Sequence, residues 1–114
     1  MLRSSYSSGT STVPLLGETI DQNLRRTVAR CGNREAVVDK SQNRRLTYNE
    51  LDTAVTAVAK GLLGRGIAKG DRVGIWAPNC LEWTLVQYAT ARIGAILVNI
   101  NPSYRMHELE YVLK

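Results

Sequence analysis

Apolar residues recur at helical spacing in four stretches of the chain, and the short apolar runs between those stretches are typical of strands. The first predicted helix begins at a capping box formed by Thr19 and Gln22 and ends at Gly32. The second begins at a capping box formed by Thr47 and Glu50 and is the clearest helix of the sequence. Its apolar positions share one face, and they are Leu51, Val55, Val58, Ala59, Leu62 and Leu63.

Four short segments are predicted to be strands. Residues 36–38 and 45–48 form a hairpin around the polar turn at 40–44. Residues 72–77 and 95–100 form neighbouring strands of a parallel sheet, because a helical segment connects them. The segment 95–100 is almost continuously apolar, which predicts a strand buried on both faces.

The third predicted helix follows the strand at 72–77, and Asn79 is predicted to accept the free N–H groups at its start, with Glu82 three positions on. Gly94 ends this helix, and a fourth helix begins near Met106 without a stop signal before Lys114. The predicted fold class is α/β, a partial doubly wound layer in which a β-hairpin and two parallel strands are flanked by helices. Because these strands are few for a complete doubly wound domain, the sequence predicts a fragment of a larger fold.

Composition changes this picture little, since 44% of the 114 residues are hydrophobic and 22% are charged, as in an ordinary globular domain. The formal net charge is +5, but the arginines, Arg92 among them, are scattered, which predicts a solvated face and no nucleic-acid partner. No apolar run approaches the length of a membrane span. Cys31 and Cys80 lie far apart without partners at metal-ligand spacing, so we expect reduced thiols and a cytoplasmic protein.

Residues 1–17 are rich in Ser and Thr and are predicted to form a flexible N-terminal arm. Within them, residues 7–14 (SSGTSTVP) have the composition of a phosphate-binding loop. No strand precedes this stretch and no Lys follows it, which favours the arm. A transit peptide is the alternative, since the segment lacks acidic residues and carries Arg3.

Several other motifs have simple structural explanations. Gly64, Gly66 and Gly70 lie after a helix and before a strand, which is the reverse of a dinucleotide-binding motif, so they are predicted to form a helix cap and a turn. His107 is the only histidine and is predicted to be a solvated helix residue.

Two features near the third helix offer possible binding chemistry. Trp76 and Trp83 would suit base stacking, although aromatic residues in strands and helices are usually part of the core. The N-terminus of the third helix, at Asn79, is the best candidate for an anion site because its dipole and free N–H groups point beyond the end of a strand.

Four ordered strings carry a family resemblance: LTYNEL at 46–51, GDRVGIWAPN at 70–79, EW at 82–83 and ARIGAILVNINP at 91–102. In this order they resemble the start of the AMP-forming acyl-CoA synthetases, which belong to the adenylate-forming ligases. The resemblance continues in register from about residue 19 to residue 114. The string NPSY followed by ELEYVL is most similar to the fatty acyl-CoA synthetase branch.

The resemblance implies that the parent enzyme uses ATP, Mg²⁺ and CoA to convert a fatty acid to acyl-CoA, AMP and pyrophosphate through an acyl-adenylate. The family's phosphate loop, its adenine and metal motifs, its ribose-binding Asp and its catalytic Lys have no matching positions in this chain. No catalytic, cofactor-binding or metal-binding residue is therefore predicted here. Residues 18–114 are expected to be an incomplete, N-terminal part of the AMP-binding domain, structural in role and inactive alone.

Two alternatives stay open at the level of sequence. A stand-alone α/β module would hold a nucleotide or CoA phosphate at the Asn79 helix N-terminus, whereas an interaction fragment would self-associate through exposed strand edges. Asn101 and Tyr104, beyond the strand at 95–100, would either border a substrate region of the parent enzyme or form a turn.

Overall fold

A computed structural model describes residues 9–114 of the chain. The elements follow the predicted order of helix, hairpin, helix, strand, helix, strand, helix. Their bounds are α1 Ile20–Cys31, β1 Glu35–Asp39, β2 Arg44–Thr47, α2 Tyr48–Gly64, β3 Arg72–Trp76, α3 Leu81–Ile93, β4 Ile96–Ile100 and α4 Met106–Leu113. Residues 9–19 lie in neither a helix nor a strand.

Both predicted capping boxes are present at the starts of α1 and α2. The Thr47 hydroxyl accepts a hydrogen bond from the Glu50 N–H at 3.3 Å, and the Glu50 carboxylate accepts one from the Thr47 N–H at 2.8 Å. Tyr48 was expected in the second hairpin strand, and that expectation is wrong because Thr47 is the N-cap and Tyr48 is the first residue of α2.

The strands form two separate pairs in the described part of the chain. β1 and β2 make the predicted antiparallel hairpin, with Asp39 opposite Arg44 at its turn. β3 and β4 are parallel and adjacent, as predicted, in a register that runs from Arg72 opposite Ile96 to Trp76 opposite Ile100. Gly94 ends α3 in the left-handed αL conformation, and its φ of 73° is costly for any residue with a Cβ.

The hydrophobic core lies among α1, α2 and α3 and does not include the parallel strands. Hairpin residues such as Val37 and Leu46 pack against its edge. The buried core residues are Leu24, Leu51, Val55, Ala59, Leu81, Leu85 and Ala89.

β4 is only partly covered, which corrects the expectation that it would be buried on both faces. Ile96 is 48% exposed and Asn99 is exposed, although Ile100 is buried. The described elements therefore leave part of the apolar run at 95–100 uncovered. No helix of the described residues has the length and apolar character needed to cross a membrane.

Candidate functional site

The carboxyl ends of β3 and β4 form the edge where α/β proteins usually place their ligands. At this edge the Trp76 indole N–H donates a hydrogen bond to the Asn101 carbonyl at 3.1 Å. The Asn101 side-chain oxygen accepts a hydrogen bond from the Ser103 N–H at 3.0 Å, and the Tyr104 N–H donates to the Asn101 carbonyl at 3.0 Å. Asn101 and Tyr104 therefore have the turn role that was one of their two predicted roles.

The N-terminus of α3 lies next to this edge, but its capping differs from the prediction. The N-cap is Cys80, which has an extended backbone and makes no side-chain capping bond. The Asp39 carboxylate, at the end of β1, accepts a hydrogen bond from the Leu81 N–H at 3.0 Å. The prediction that Asn79 caps this helix is wrong because the helix begins one residue later and a carboxylate from the hairpin takes the free N–H group.

The charges around this helix end are also unfavourable for an anion. Glu82, in the first turn of α3, accepts hydrogen bonds from Arg44 at 2.8 Å and from Gln42 at 3.1 Å. Hydrogen bonds from the Ser41 hydroxyl and the Gln42 N–H lower the pKa of Asp39, which keeps this carboxylate ionised near neutral pH. Because a native carboxylate already lies on the helix dipole, the phosphate site predicted at the Asn79 helix end is not present in this arrangement.

The other three helix N-termini are likewise satisfied by the chain's own side chains. Gln22 and Glu50 complete the capping boxes of α1 and α2, and hydrogen bonds from the Thr47 N–H and hydroxyl lower the pKa of Glu50. At α4, the Glu108 carboxylate accepts a hydrogen bond from the Arg105 N–H at 2.7 Å. Among residues 9–114, no group of three His, Cys, Asp or Glu residues is placed to hold a metal ion. The N-termini of these helices are therefore already engaged with side chains of the protein itself.

Arg92 forms the most extensive side-chain network of the structure. Its guanidinium donates to the Asp21 carboxylate on α1 at 2.6 Å, and to the Asp52 carboxylate and the Thr56 hydroxyl on α2, each at 2.6 Å. The side chain of Arg92 is only 8% exposed. The expectation that the scattered arginines are solvated is therefore wrong for Arg92, which joins the three core helices.

The pKa values in this network follow from its geometry. Burial alone would raise the pKa of Asp21, but hydrogen bonds from Arg25 and Arg92 and the charges of both guanidiniums bring that pKa below its ordinary value. Burial would lower the pKa of Arg92, whereas its bonds to Asp21 and Asp52 raise it. Both groups of the Arg92–Asp21 pair are consequently held in their charged forms.

The remaining candidates have the simple roles that the sequence predicted, with one exception. The side chain of His107 is 82% exposed, and Gly66 and Gly70 occupy turn positions with positive φ. Trp76 is the exception: it was expected in the core, but it is 51% exposed. Of the phosphate-loop candidate at 7–14, residues 7 and 8 lie outside the described residues, and the others have no strand before them in the described chain.

Sequence comparisons identify relatives over almost the whole chain. The family described as "AMP-binding enzyme" matches residues 24–114. The mitochondrial medium-chain acyl-CoA ligase ACSF2 of Homo sapiens is 46% identical over 110 residues, which cover 96% of this chain and 18% of that protein. ACSF2 of Danio rerio is 45% identical over 113 residues, covering 99% of this chain and 19% of the relative. The chain thus spans about a fifth of the length of these relatives.

Solved structures give the same result for the fold. An inhibitor-bound N-terminal domain of FACL13 from Mycobacterium tuberculosis aligns with a TM-score of 0.80 and 33% identity, over 83% of this chain and 24% of that chain. A Mycobacterium tuberculosis fatty acyl CoA synthetase aligns with the same TM-score of 0.80 and 33% identity, over 83% of this chain and 19% of that chain. The predicted resemblance and the predicted α/β fold class are both confirmed.

Proposed function

The chain belongs to the AMP-binding enzyme family, and we propose that it serves there as a scaffold segment of an AMP-forming fatty acyl-CoA ligase. The whole enzyme would convert a fatty acid, ATP and CoA to acyl-CoA, AMP and pyrophosphate through an acyl-adenylate. Medium-chain acids are the first substrates to test, because the ACSF2 relatives are medium-chain acyl-CoA ligases. In this proposal, residues 18–114 are an N-terminal part of the AMP-binding domain and residues 1–17 are an arm preceding it.

The proposal is carried by the sequence identity to acyl-CoA ligases, taken together with the positions of the polar groups among the described residues. Identity of 46% over 96% of the chain supports a shared role with the ligases, while the described residues hold neither a metal cluster nor a free helix N-terminus for phosphate. What the segment does contain is a core shared by three helices, with two parallel strands attached to it. We therefore propose that the segment supports the fold of the domain and that other parts of the enzyme carry out the chemistry.

A chimera tests this assignment directly. The segment of human ACSF2 that matches this chain is replaced by the corresponding residues of the chain, and pyrophosphate release is measured with ATP, CoA and a medium-chain fatty acid. The scaffold proposal expects activity within about tenfold of the human enzyme, because the exchanged segment supplies none of the groups that act on the substrates. A tenfold change in rate corresponds to about 1.4 kcal/mol of activation free energy. A soluble, folded chimera without activity would refute it.

The location of the protein stays a prediction. The sequence leads us to propose a cytoplasmic protein with reduced Cys31 and Cys80, and both cysteines are free in the structure. The human and zebrafish relatives are named as mitochondrial proteins, which makes an organelle the competing location. Fractionation of cells that express the chain with a C-terminal tag separates the two, because import into mitochondria would protect the tag from added protease.

A further inference from the structure

Side chains fasten the turn of the β1/β2 hairpin to the start of α3. The Asp39 carboxylate accepts the hydrogen bond from the Leu81 N–H with one oxygen. Its other oxygen accepts hydrogen bonds from the Ser41 hydroxyl at 2.6 Å and from the Gln42 N–H at 3.1 Å. We call Asp39, Ser41, Gln42 and Leu81 the hairpin clasp. Through the clasp, a change at the turn is transmitted to the first turn of α3.

Ser41 lies where a modifying enzyme could reach it. It is exposed among the described residues and belongs to the turn at 40–43, beyond the ends of both hairpin strands. Lys40 directly precedes it, and Arg44 and Arg45 follow it by three and four positions. Protein kinases select their substrates in part by the charges around the acceptor residue. The turn therefore offers a hydroxyl group within a basic sequence.

Other hydroxyl groups of the described chain have different surroundings. Four hydroxyls donate to carbonyls of their own helices, and these belong to Thr27, Thr53, Thr56 and Thr90. Ser103 is exposed in the turn after β4, but within residues 9–114 its hydroxyl bonds to no side chain of another element. Ser41 instead combines exposure with a bond to the carboxylate that caps a separate helix.

From these observations we propose that Ser41 is a phosphorylation site and that its phosphorylation releases the hairpin from α3. The Ser41 oxygen would take the γ-phosphoryl group of ATP from a protein kinase that selects basic neighbours. ADP leaves in this step, and the hydroxyl proton passes to the base of the kinase. The inference goes beyond the proposed function, because it concerns the fold of the segment and not the reaction of the whole enzyme.

The phosphate would act on the clasp in two ways. The phosphorylated oxygen no longer carries a proton to donate to Asp39, and its charge of about −1.5 to −2 repels that carboxylate. The phosphate also attracts Arg44, which donates to Glu82 on α3. Because Arg44 and Glu82 are 44% and 53% exposed, their pair contributes little to stability. The main effect is therefore the loss of the acceptor of the Leu81 N–H.

The test begins with the 114-residue chain, ATP and a serine kinase that selects basic neighbours. Mass spectrometry should find phosphate on Ser41 and none at that position in Ser41→Ala. Hydrogen exchange followed by NMR should show the Leu81 amide exchanging about five- to tenfold faster in the phosphorylated chain. The amide of Val55, in the core of α2, should keep its rate, because the release is local.

Double variants isolate the route through Asp39. Asp39→Ala alone should speed exchange of the Leu81 amide, and the addition of Ser41→Asp should speed it no further, because the repelled carboxylate is gone. Ser103→Asp places the same charge in another exposed turn and should leave Leu81 exchange unchanged.

Three outcomes would overturn the proposal. The first is an unmodified Ser41 in the chain when the kinase modifies a basic control peptide. The second is phosphate on Ser41 with unchanged exchange at Leu81, or with equally faster exchange at Val55. The third is failure of the folded chimera with human ACSF2 to accept phosphate at Ser41, because other parts of the enzyme would then cover the turn. None of these outcomes affects the scaffold role, which depends on the activity of the unmodified chimera.

Discussion

Removal of the Arg92 guanidinium should destabilise the chain more than any other single loss of a charge. In Arg92→Met, the replacement keeps much of the aliphatic stem but removes the donors to Asp21, Asp52 and Thr56. Breaking a fully buried ion pair on one side costs about 3–5 kcal/mol. The cost is smaller here because Asp21 retains Arg25 at 2.7 Å and because the Asp52 side chain is 33% exposed. We therefore expect a loss of about 2–3 kcal/mol.

The assay is thermal unfolding of the 114-residue chain followed by circular dichroism. A loss of that size corresponds to a fall in Tm of roughly 8–15 °C for a domain of this length. Arg92→Lys should give an intermediate result, since an ammonium group keeps the charge but loses the planar set of donors. Both variants should keep the helical signal at low temperature, because the apolar core is unchanged.

Arg45→Met is the matched control for this prediction. Arg45 pairs with Glu35 at 2.7 Å, but the two side chains are 59% and 58% exposed, so the pair should contribute less than about 1 kcal/mol. If Arg92→Met and Arg45→Met lowered Tm equally, the reasoning from burial would be refuted. The same conclusion would follow if Arg92→Met raised Tm, because Asp21 and Asp52 would then be well solvated without a partner.

Three further predictions concern single groups. The pKa of Asp21 is depressed in the folded state, so this group stabilises the fold above its unfolded pKa of about 3.9, and this contribution is lost as the pH falls through the folded pKa. In urea titrations, the difference in unfolding free energy between the wild type and Asp21→Asn should thus be constant from about pH 5 to pH 7 and should shrink at lower pH. Asp39→Ala should lower Tm by removing the cap on Leu81, while Asn79→Ala should leave Tm unchanged, and equal effects in calorimetry would contradict the assigned cap. Gly94→Ala should cost about 1–2 kcal/mol in chemical denaturation because its φ is 73°. Gly61→Ala in the open interior of α2 should instead add about 1 kcal/mol, so a stabilising Gly94→Ala would contradict the αL assignment.

The predictions that succeeded depend on residues close together in the chain. Thr47 and Glu50 are three positions apart, so their capping box is visible as a local pattern. Gly94 likewise marks the end of α3 by its own conformational freedom. Local signals of this kind, with the order of the elements, were enough to predict an α/β fold and adjacent parallel strands.

The predictions that failed involve partners that are distant in sequence. Asp39 lies 42 positions before Leu81, and no local pattern indicates that it replaces Asn79 as the cap. Arg92 reaches Asp21 across 71 positions, and its burial depends on the packing of three helices. One weak signal was present, because Arg92 lies between Ala91 and Ile93 in a helix whose neighbouring residues are mainly apolar.

The exposure of Trp76 and Ile96 could not be read from the sequence for a different reason. An apolar strand pattern reports the surroundings in which the strand functions, and it contains no information on which elements supply them. Among residues 9–114, the helices α1 to α3 close their own core, whereas Trp76 and Ile96 stay about half exposed. The same apolar residues that made β4 easy to predict as a strand therefore led to the wrong expectation that it is buried on both faces.

The central claim is that this segment supports an acyl-CoA ligase domain whose chemistry takes place elsewhere. The most direct measurement is pyrophosphate release by the purified 114-residue chain with ATP, Mg²⁺, CoA and a medium-chain fatty acid, beside the active covalent chimera. We expect the chimera to release pyrophosphate and the chain alone to remain at the rate of a protein-free sample. Release by the chain alone that requires the fatty acid and rises in proportion to protein concentration would contradict the claim.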